Sequence, residues 1–462
     1  MKKIFFVGIG GIGMSSLAIY AKHKKYSVIG SDKDIHSSTI DLLKKNNIIV
    51  LHESSIIETM LYDIDILVIT NTISIDHPLY LLAKKLNKII LYRSQFLSQL
   101  IIDKKILGIT GSHGKTTTTS LIGHIFKQAN EDPTIFVGGI MQNYKKNLLI
   151  GNSNYLIIEA DDAYKSFLDL NPFISIITTI SYEHLETYKS LQDIEETFLT
   201  YAEQTSPMGA VIINTDNNFI KKFITKINHP NIITYGTDND ADYQIKNVIF
   251  KSKKSYFSLF YKNHFLSNYS VHLLGIHNIK NAVAAIIASR YSNIKNTAIK
   301  EALLSYKGVE RRFQYKGKYN GLKVYDDYAH HPVEIDAILS ILEIKNIRAY
   351  IFFQPHKYIR MKYLWNDFIS VFLKYKINIE ILYITDVYGV GEDYDDVYNS
   401  KNLVEILQTH IKKVIYVPFD YKFKNLLSYK KNLIKKNNNL IILTLGAGLM
   451  NRLNDILIQL KK

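Results

Sequence analysis

The stretch Lys105-Ile-Leu-Gly-Ile-Thr-Gly-Ser-His-Gly-Lys-Thr-Thr-Thr-Thr119 sets the reading of the whole chain. An apolar β-type run (Ile106, Leu107, Ile109) enters Gly111-Ser112-His113-Gly114, and Lys115-Thr116 then open a helical pattern through Leu121, Ile122 and Phe126. Strand, glycine turn and helix start together make a phosphate cradle. The glycines let backbone N–H groups turn toward an anion, the helix N-terminus adds partial positive charge, Lys115 reaches the outer phosphates, and the Thr116 hydroxyl is placed for Mg²⁺. The spacing is compressed relative to the usual eight-residue loop, because the position five before Gly114 is Ile109 and Gly108 comes one step early. The competing reading is a glycine-rich connection that happens to contain Lys-Thr.

Outward from this stretch, 462 residues exceed one ordinary core, and three domains are expected, over 1–101, 102–309 and 310–462. With 47% hydrophobic and 21% charged residues the composition is that of a globular protein. No run approaches the roughly 18 uninterrupted apolar residues of a membrane span. The opening Met-Lys-Lys and apolar run resemble a secretory signal only superficially, being glycine-rich without a small-x-small cleavage site, and read as a strand and turn. The absence of cysteine removes disulfides, thiolate nucleophiles and thiolate metal sites, and agrees with a cytoplasmic location. The net charge of +15 comes from lysines scattered among Ile, Asn and Tyr, as at Lys24-Lys25, Lys84-Lys85, Lys145-Lys146 and Lys435-Lys436. Such scatter is a solvated surface rather than a basic stripe, so neither nucleic acid nor a membrane is expected as a partner.

At the N-terminus a strand (Ile4 to Val7) runs into Gly8-Ile-Gly-Gly-Ile-Gly13 and then a helical pattern from Met14. A second strand (Tyr26 to Gly30) ends at Asp32, as a dinucleotide fold requires, so a nicotinamide dehydrogenase has to be considered. Any ligand with a pyrophosphate and a ribose suits the same features. Further strands (Ile48 to Leu51, Ile66 to Ile69, Lys88 to Leu91) alternate with helical patterns and predict a doubly wound parallel sheet. Asn71 and Arg93 follow strand ends, where capping and ligand binding are equally open.

In the central block, the strand Tyr155 to Ile158 ends in Glu159-Ala-Asp-Asp162, where a phosphoryl-transfer enzyme holds Mg²⁺ or its water shell. A run from Phe173 to Thr179 is followed by Ser181-Tyr-Glu-His184, and histidine is an unusual ligand for Mg²⁺. Leu274-Gly-Ile-His-Asn278-Ile-Lys-Asn281 enters an Ala-rich helix, where asparagine either caps the helix or offers its amide to a nucleobase edge. Beyond residue 310, strands at Leu322 to Tyr325, Arg348 to Phe353, Ile379 to Thr385, Lys413 to Val417 and Leu440 to Leu445 predict a second α/β sheet. His330-His331 has only Glu334 at metal-ligand spacing, which argues against zinc.

These motifs, with Gly308-Val-Glu-Arg-Arg-Phe313, Asp326-Asp-Tyr-Ala-His-His-Pro-Val-Glu334, Phe353-Gln-Pro-His-Lys-Tyr-Ile-Arg360, Thr385-Asp-Val-Tyr388 and Gly446-Ala-Gly448, occur in the order found in Mur ligases, which the chain resembles over essentially its full length. The resemblance implies an α/β protein of three domains: a Rossmann-like one for a UDP-sugar, a central P-loop ATPase and a C-terminal Rossmann-like one for an amino acid. It points to the alanine-adding branch, with ATP, Mg²⁺, UDP-N-acetylmuramate and L-alanine as cofactors and substrates, in a monomer or homodimer. By the same resemblance Gly111, Ser112, His113, Gly114, Lys115, Thr116 and Thr117 handle ATP phosphates. Asn278 and Asn281 face the adenine, and Arg312 and Asp327 close on the nucleotide. Thr116, Glu159 and His184 hold metal. The UDP-sugar falls to Gly10, Gly11, Gly13, Met14, Ser15 and Asp32, and the amino acid to His356, Lys357 and Arg360. The chain departs from the family pattern at Asp162-Ala163-Tyr164, where Glu-Ser-Asp is usual. It departs again at Thr179 and Glu183 around His184, where Asn and Asp are usual, and at Lys357, where Arg is usual.

The chemistry follows from the reactants as well. A carboxylate is a poor acceptor for an amine, since its charge repels the nucleophile and oxide does not leave. Transfer of the ATP γ-phosphoryl group gives an acyl phosphate, whose phosphate leaves when the amine attacks. A sibling reading is the murein-recycling ligase that attaches a whole tripeptide to the same sugar. The dehydrogenase explains only the first hundred residues.

Overall fold

The computed structural model describes residues 2–56, 58–181, 187–434 and 439–460. Strands form where the β-type runs stand. β1 (Lys3–Val7), β2 (Ser27–Asp32), β3 (Ile49–His52), β4 (Ile66–Ile69) and β5 (Ile89–Tyr92) make a five-stranded sheet in the order β3-β2-β1-β4-β5. Every pair in it is parallel, as the strand-helix alternation predicts. The order reverses beside β1, so the glycine turn after it opens at the switch point where such sheets bind ligands.

The second sheet has ten strands: β6 (Lys105–Thr110), β7 (Thr134–Met141), β8 (Lys146–Leu149), β9 (Tyr155–Glu159), β10 (Ile174–Ile177), β11 (Ala210–Asn214), β12 (Ile232–Gly236), β13 (Tyr243–Lys251), β14 (Lys254–Tyr261) and β15 (His264–Val271). Their order is β15-β14-β13-β12-β11-β10-β6-β9-β7-β8, which puts β6 between β10 and β9. The register sets Thr110 opposite Ile177 and Ile109 opposite Glu159, so three strand ends converge on the start of the helix Lys115–Gln128. β1 and β6 are buried almost throughout, as befits parallel strands covered on both faces.

Apart from the end of β13 and the start of β14, these two sheets belong to one compact unit, residues 1–248, 256–272 and 280–307. Within it the side chain of Asn147 donates to Ser16 Oγ at 2.9 Å. The second unit, residues 249–255, 273–279 and 308–462, is built on a third sheet. Its strands are β16 (Gln314–Tyr319), β17 (Leu322–Asp327), β18 (Arg348–Phe353), β19 (Ile379–Thr385), β20 (Val414–Val417) and β21 (Leu440–Leu445), in the order β16-β17-β21-β18-β19-β20. Only β16 runs antiparallel to its neighbour. Period-2 alternation sends Ala349, Ile351 and Phe353 into one core and Tyr350 and Phe352 into the other.

His124, on the helix that starts at Lys115, is 2% exposed and bonded through both ring nitrogens, to Tyr144 Oη at 2.8 Å and Ser305 Oγ at 2.9 Å. Burial pushes its pKa down from 6.5 to about 4. Between these values the unfolded chain binds a proton that the folded one refuses. Stability is therefore intact above pH 6.5 and falls as the pH drops toward about 4, by about 3 kcal/mol for this residue. Denaturant unfolding of wild type and His124→Gln at several pH values should show a shallower acid slope for the variant.

Candidate active site

The phosphate cradle is held from behind by the end of β10. Ser112 N donates to Thr179 O at 2.9 Å, His113 N to Thr179 Oγ1 at 2.9 Å, and Thr178 Oγ1 donates to His113 O at 2.6 Å. Two amides of the motif are thus spent inside the protein, so Ser112 and His113 shape the loop, while the amides from Gly114 onward lie at the helix start. Thr179, one of the departures from the family pattern, supplies this pin through its hydroxyl. Gly111 has φ of 122°, and a Cβ there would come 2.6 Å from the Thr179 carbonyl oxygen. Gly114 caps the helix at φ 87°, and a Cβ there would meet Asn281 Oδ1 at 2.5 Å, so Asn281 stands directly over the cradle.

Lys115 curls back onto its own loop. Its Nζ donates to Gly111 O and pairs with Asp162 Oδ1 at 2.7 Å, and both side chains are largely buried. Asp162 is itself a departure from the family pattern, and nothing near it in sequence announced this partnership. Thr116 Oγ1 donates to Glu159 Oε1 at 2.8 Å, while Glu159 Oε2 accepts from Gly138 N at 2.8 Å. A hydroxyl and an anchored carboxylate side by side are hard oxygen donors, and they fit Mg²⁺ with water completing its shell. His184, the third expected metal residue, and Glu183 lie outside the described residues. A Cβ at Gly138 would meet Glu159 Oε2 at 2.7 Å. Gly138→Ala should therefore turn the carboxylate off Thr116 and raise the Mg²⁺ concentration for half-maximal rate several-fold, as read from an Mg²⁺ titration.

In the N-terminal sheet, Gly8 (φ 72°) turns the chain, and Gly8 N and Ile9 N both donate to Ser31 O. Gly10 N donates to Asp32 Oδ2 at 2.7 Å and Asp34 N to Asp32 Oδ1 at 3.0 Å, so the Asp32 carboxylate lashes the glycine loop to the end of β2. Met14 and Ser15 are buried, and Ser15 donates its Oγ to Ile12 O and its N–H to Gly11 O, so its polar groups are taken up by the helix start. Arg93 reaches over the loop: a Cβ at Gly13 would lie 2.7 Å from its Nη1, and its Nη2 is 3.7 Å from Asp161 Oδ2.

The second unit carries its own polar cluster. Asp327, at the end of β17 and 1% exposed, accepts from Phe313 N at 2.5 Å and Ala329 N at 2.7 Å. Burial raises its pKa to about 7 against the pull of Arg312 and these amides. Its carboxylate faces into the protein, where it organises the segment bearing Arg312. Arg312 Nη1 lies 3.5 Å from Glu334 Oε1. Asn278 Nδ2 donates to Leu274 O at 2.7 Å.

Arg360 Nη1 bonds His356 Nδ1 at 3.0 Å and His356 O at 3.1 Å. Arginine only donates, so this nitrogen of His356 accepts and the ring carries its proton on Nε2. Edge-on to it, 5.3 Å between centroids, stands His330. Burial, then His330, Arg360 and Lys357, hold the His356 pKa down at about 3. Lys357 takes φ of 67° and donates its N–H to Tyr388 O at 3.0 Å, so it turns the chain into the short helix Tyr358–Tyr363. Glu392 Oε2 accepts from Tyr358 N at 2.5 Å at the start of that helix. His330, Glu392 and Asp162 were missed as site residues in the sequence reading. Two of them carried a signal: His330 in the His-His pair after a strand, and Asp162 in the carboxylate run Glu159-Ala-Asp-Asp162, which pointed to Mg²⁺ rather than to Lys115.

Residues 3–105 match the family described as Mur ligase family, catalytic domain, residues 109–289 the Mur ligase middle domain, and residues 311–448 the Mur ligase, glutamate ligase domain. The chain is 34% identical to the UDP-N-acetylmuramate–L-alanine ligase of Hydrogenobaculum sp., covering 97% of this chain and 96% of that one. It is 36% identical to the ligase of the same name from Clostridium beijerinckii, over 97% and 95%. Its fold matches the crystal structure of UDP-N-acetylmuramate-alanine ligase from Thermotoga maritima with a TM-score of 0.82 at 24% identity, over 100% of this chain and 99% of that one.

Proposed function

The chain belongs to the Mur ligase family, and from that premise we propose that it joins L-alanine to the carboxylate of UDP-N-acetylmuramate with ATP as phosphoryl donor. The products are the amide, ADP and phosphate, and the reaction serves peptidoglycan precursor synthesis. The observation that carries this reading is the end-to-end match to curated ligases named for L-alanine. The tripeptide-adding alternative is met among solved structures, in murein peptide ligases at 19–23% identity with TM-scores of 0.62–0.70, a likeness that carries the fold alone. A dehydrogenase would leave the cradle at 111–117 and the polar cluster of the second unit without a use.

Lys115 and the amides at the start of its helix place the terminal phosphoryl group of ATP for in-line attack by the sugar carboxylate, and ADP departs. Thr116 and Glu159 would hold Mg²⁺, which would supply charge neutralisation on the phosphates. Asn281 stands over the cradle on the side from which a nucleotide can be touched. For the amino acid, Arg360 offers a cation for the carboxylate and His356 an adjoining N–H. The two-step course requires that water be kept from the acyl phosphate, so closure of the parts around it is part of the proposal. So are a cytoplasmic location, with which a chain without cysteine agrees, and a monomeric or homodimeric state. Among the described residues no helix is long and apolar enough to cross a membrane.

The test is phosphate release from ATP with UDP-N-acetylmuramate, with and without L-alanine, and with the tripeptide in its place. Release that depends on L-alanine supports the reading; dependence on the tripeptide instead would replace it. The glycine loop gives a second check. Gly11 is exposed with φ of −62°, and a Cβ there makes only ordinary contacts, 3.6 Å from Gly8 O and 4.0 Å from Met14 Cβ. Gly11→Leu should therefore fold normally, yet obstruct the loop and raise the KM for the UDP-sugar by about fivefold or more with the KM for ATP unchanged.

A further inference from the structure

The amino acid arrives as an ammonium ion, and nothing so far removes its proton. His330 is placed to do so. Its Nδ1 lies 3.0 Å from Tyr328 O and 3.2 Å from Glu334 Oε2, both of which only accept, so Nδ1 carries the proton and Nε2 is left with its lone pair. Glu334 Oε2 also accepts from His330 N at 3.1 Å, which holds backbone and ring together. Beside this ring, Arg360 and the Nε2–H of His356 present a cation and a donor. Acceptor, donor and cation are the complement of an α-amino acid's ammonium and carboxylate.

We propose that His330 receives the ammonium of the incoming amino acid and takes its proton through Nε2, with Glu334 as the positioning residue that sets the tautomer of the ring. This rests on the ligase reading above. The proton passes from the ammonium nitrogen to Nε2. The freed nitrogen pair then forms the C–N bond at the acyl carbon, the C–O bond to phosphate breaks, and phosphate leaves with that electron pair. The second N–H proton goes to the departing phosphate. The charged groups around the ring are Glu334, Arg360 and Arg312. Burial above all, with Arg360 and Arg312, lowers its pKa to about 4, against the opposing pull of Glu334 and the Tyr328 backbone. At neutral pH the ring is therefore uncharged, the form that accepts a proton and does not repel an ammonium. Docking of the substrate carboxylate on Arg360 cancels part of the charge that weakens the base.

Hydroxylamine separates this role from a structural one. It attacks acyl phosphates to give a hydroxamate and is largely unprotonated at neutral pH, so it needs no base. His330→Gln should lower alanine-dependent turnover by more than about tenfold while hydroxamate formation from ATP and UDP-N-acetylmuramate stays within about twofold of wild type. Glu334→Leu should lower the alanine reaction and move the acid limb of its pH profile to lower pH, since the group that raises the His330 pKa is gone; Glu334→Gln should restore part of the rate. An alanine rate unchanged in His330→Gln, or equal loss of both reactions, overturns the assignment. A wild-type enzyme that yields neither alanine-dependent phosphate nor hydroxamate overturns the ligase reading instead.

Discussion

Lys115→Ala is expected to cut turnover by at least about a hundredfold, near 3 kcal/mol, with UDP-sugar affinity almost unchanged. The ammonium stands at the start of a helix whose first amides face the cradle, on a stem largely shielded from water, where an alternative counter-ion for a developing phosphate charge is scarce. Its present partner is Asp162, 2.7 Å away. That pairing keeps a buried cation neutralised in the absence of nucleotide, and phosphate oxygens must compete with it. Removal of Lys115 therefore has two consequences. It deletes the contact that strengthens as the phosphoryl group transfers, and it leaves the Asp162 carboxylate buried near incoming phosphate, where like charges repel. The Gly8 to Gly13 loop belongs to a different sheet, so equilibrium binding of the UDP-sugar should not register the change. Steady-state turnover together with calorimetric titration of UDP-N-acetylmuramate decides the matter. A variant retaining more than a few per cent of the wild-type rate would take Lys115 out of the transition state.

Arg360→Met should raise the KM for L-alanine at least tenfold, and toward a hundredfold, corresponding to about 1.4–2.7 kcal/mol, with the KM values for ATP and the UDP-sugar nearly unchanged. The guanidinium does two things: it offers the carboxylate two parallel donors, and through Nη1 it holds the ring of His356 in one tautomer. Methionine fills the space and does neither. Lys357→Met should do markedly less. Lysine is a point charge where the family uses a fork, and in this structure Lys357 is defined by its backbone, with φ of 67° and an N–H given to Tyr388 O. Varying each substrate in turn tests both variants. An equal or greater effect at Lys357 would reverse the ranking, and no effect at either would move the carboxylate to another part of the unit.

Much of this protein is legible in its sequence, because the signals are local. The runs at 66–69, 348–353, 379–385 and 440–445 become strands at those limits, since short runs of apolar and β-branched residues, interrupted only by Arg348 and Glu380 near strand starts, suit a strand covered on both faces. Lys115 and Thr116 sit at the start of their helix because Gly114 can take a positive φ and a residue with a side chain there would collide with Asn281. Glu159 is found opposite Ile109 and against Thr116, as expected of a carboxylate ending the neighbouring strand.

The tertiary structure alone decided which partners these groups take. Asp162 finds Lys115 across 47 residues, Gly138 offers its amide to Glu159 across 21, and Thr179 claims the amides of Ser112 and His113 across some 66. No spacing rule reaches so far, because the choice depends on which strand ends the sheet order sets side by side. The same holds for His330. A pair of histidines after a strand reads in sequence as a metal site with no partner but Glu334. Only when folding sets Glu334 and the Tyr328 carbonyl on one nitrogen, and His356 and Arg360 beside the ring, does its other nitrogen become a directed acceptor. Residue type settles what a side chain can do, whereas protonation and aim are properties of the surroundings, which the chain acquires by folding.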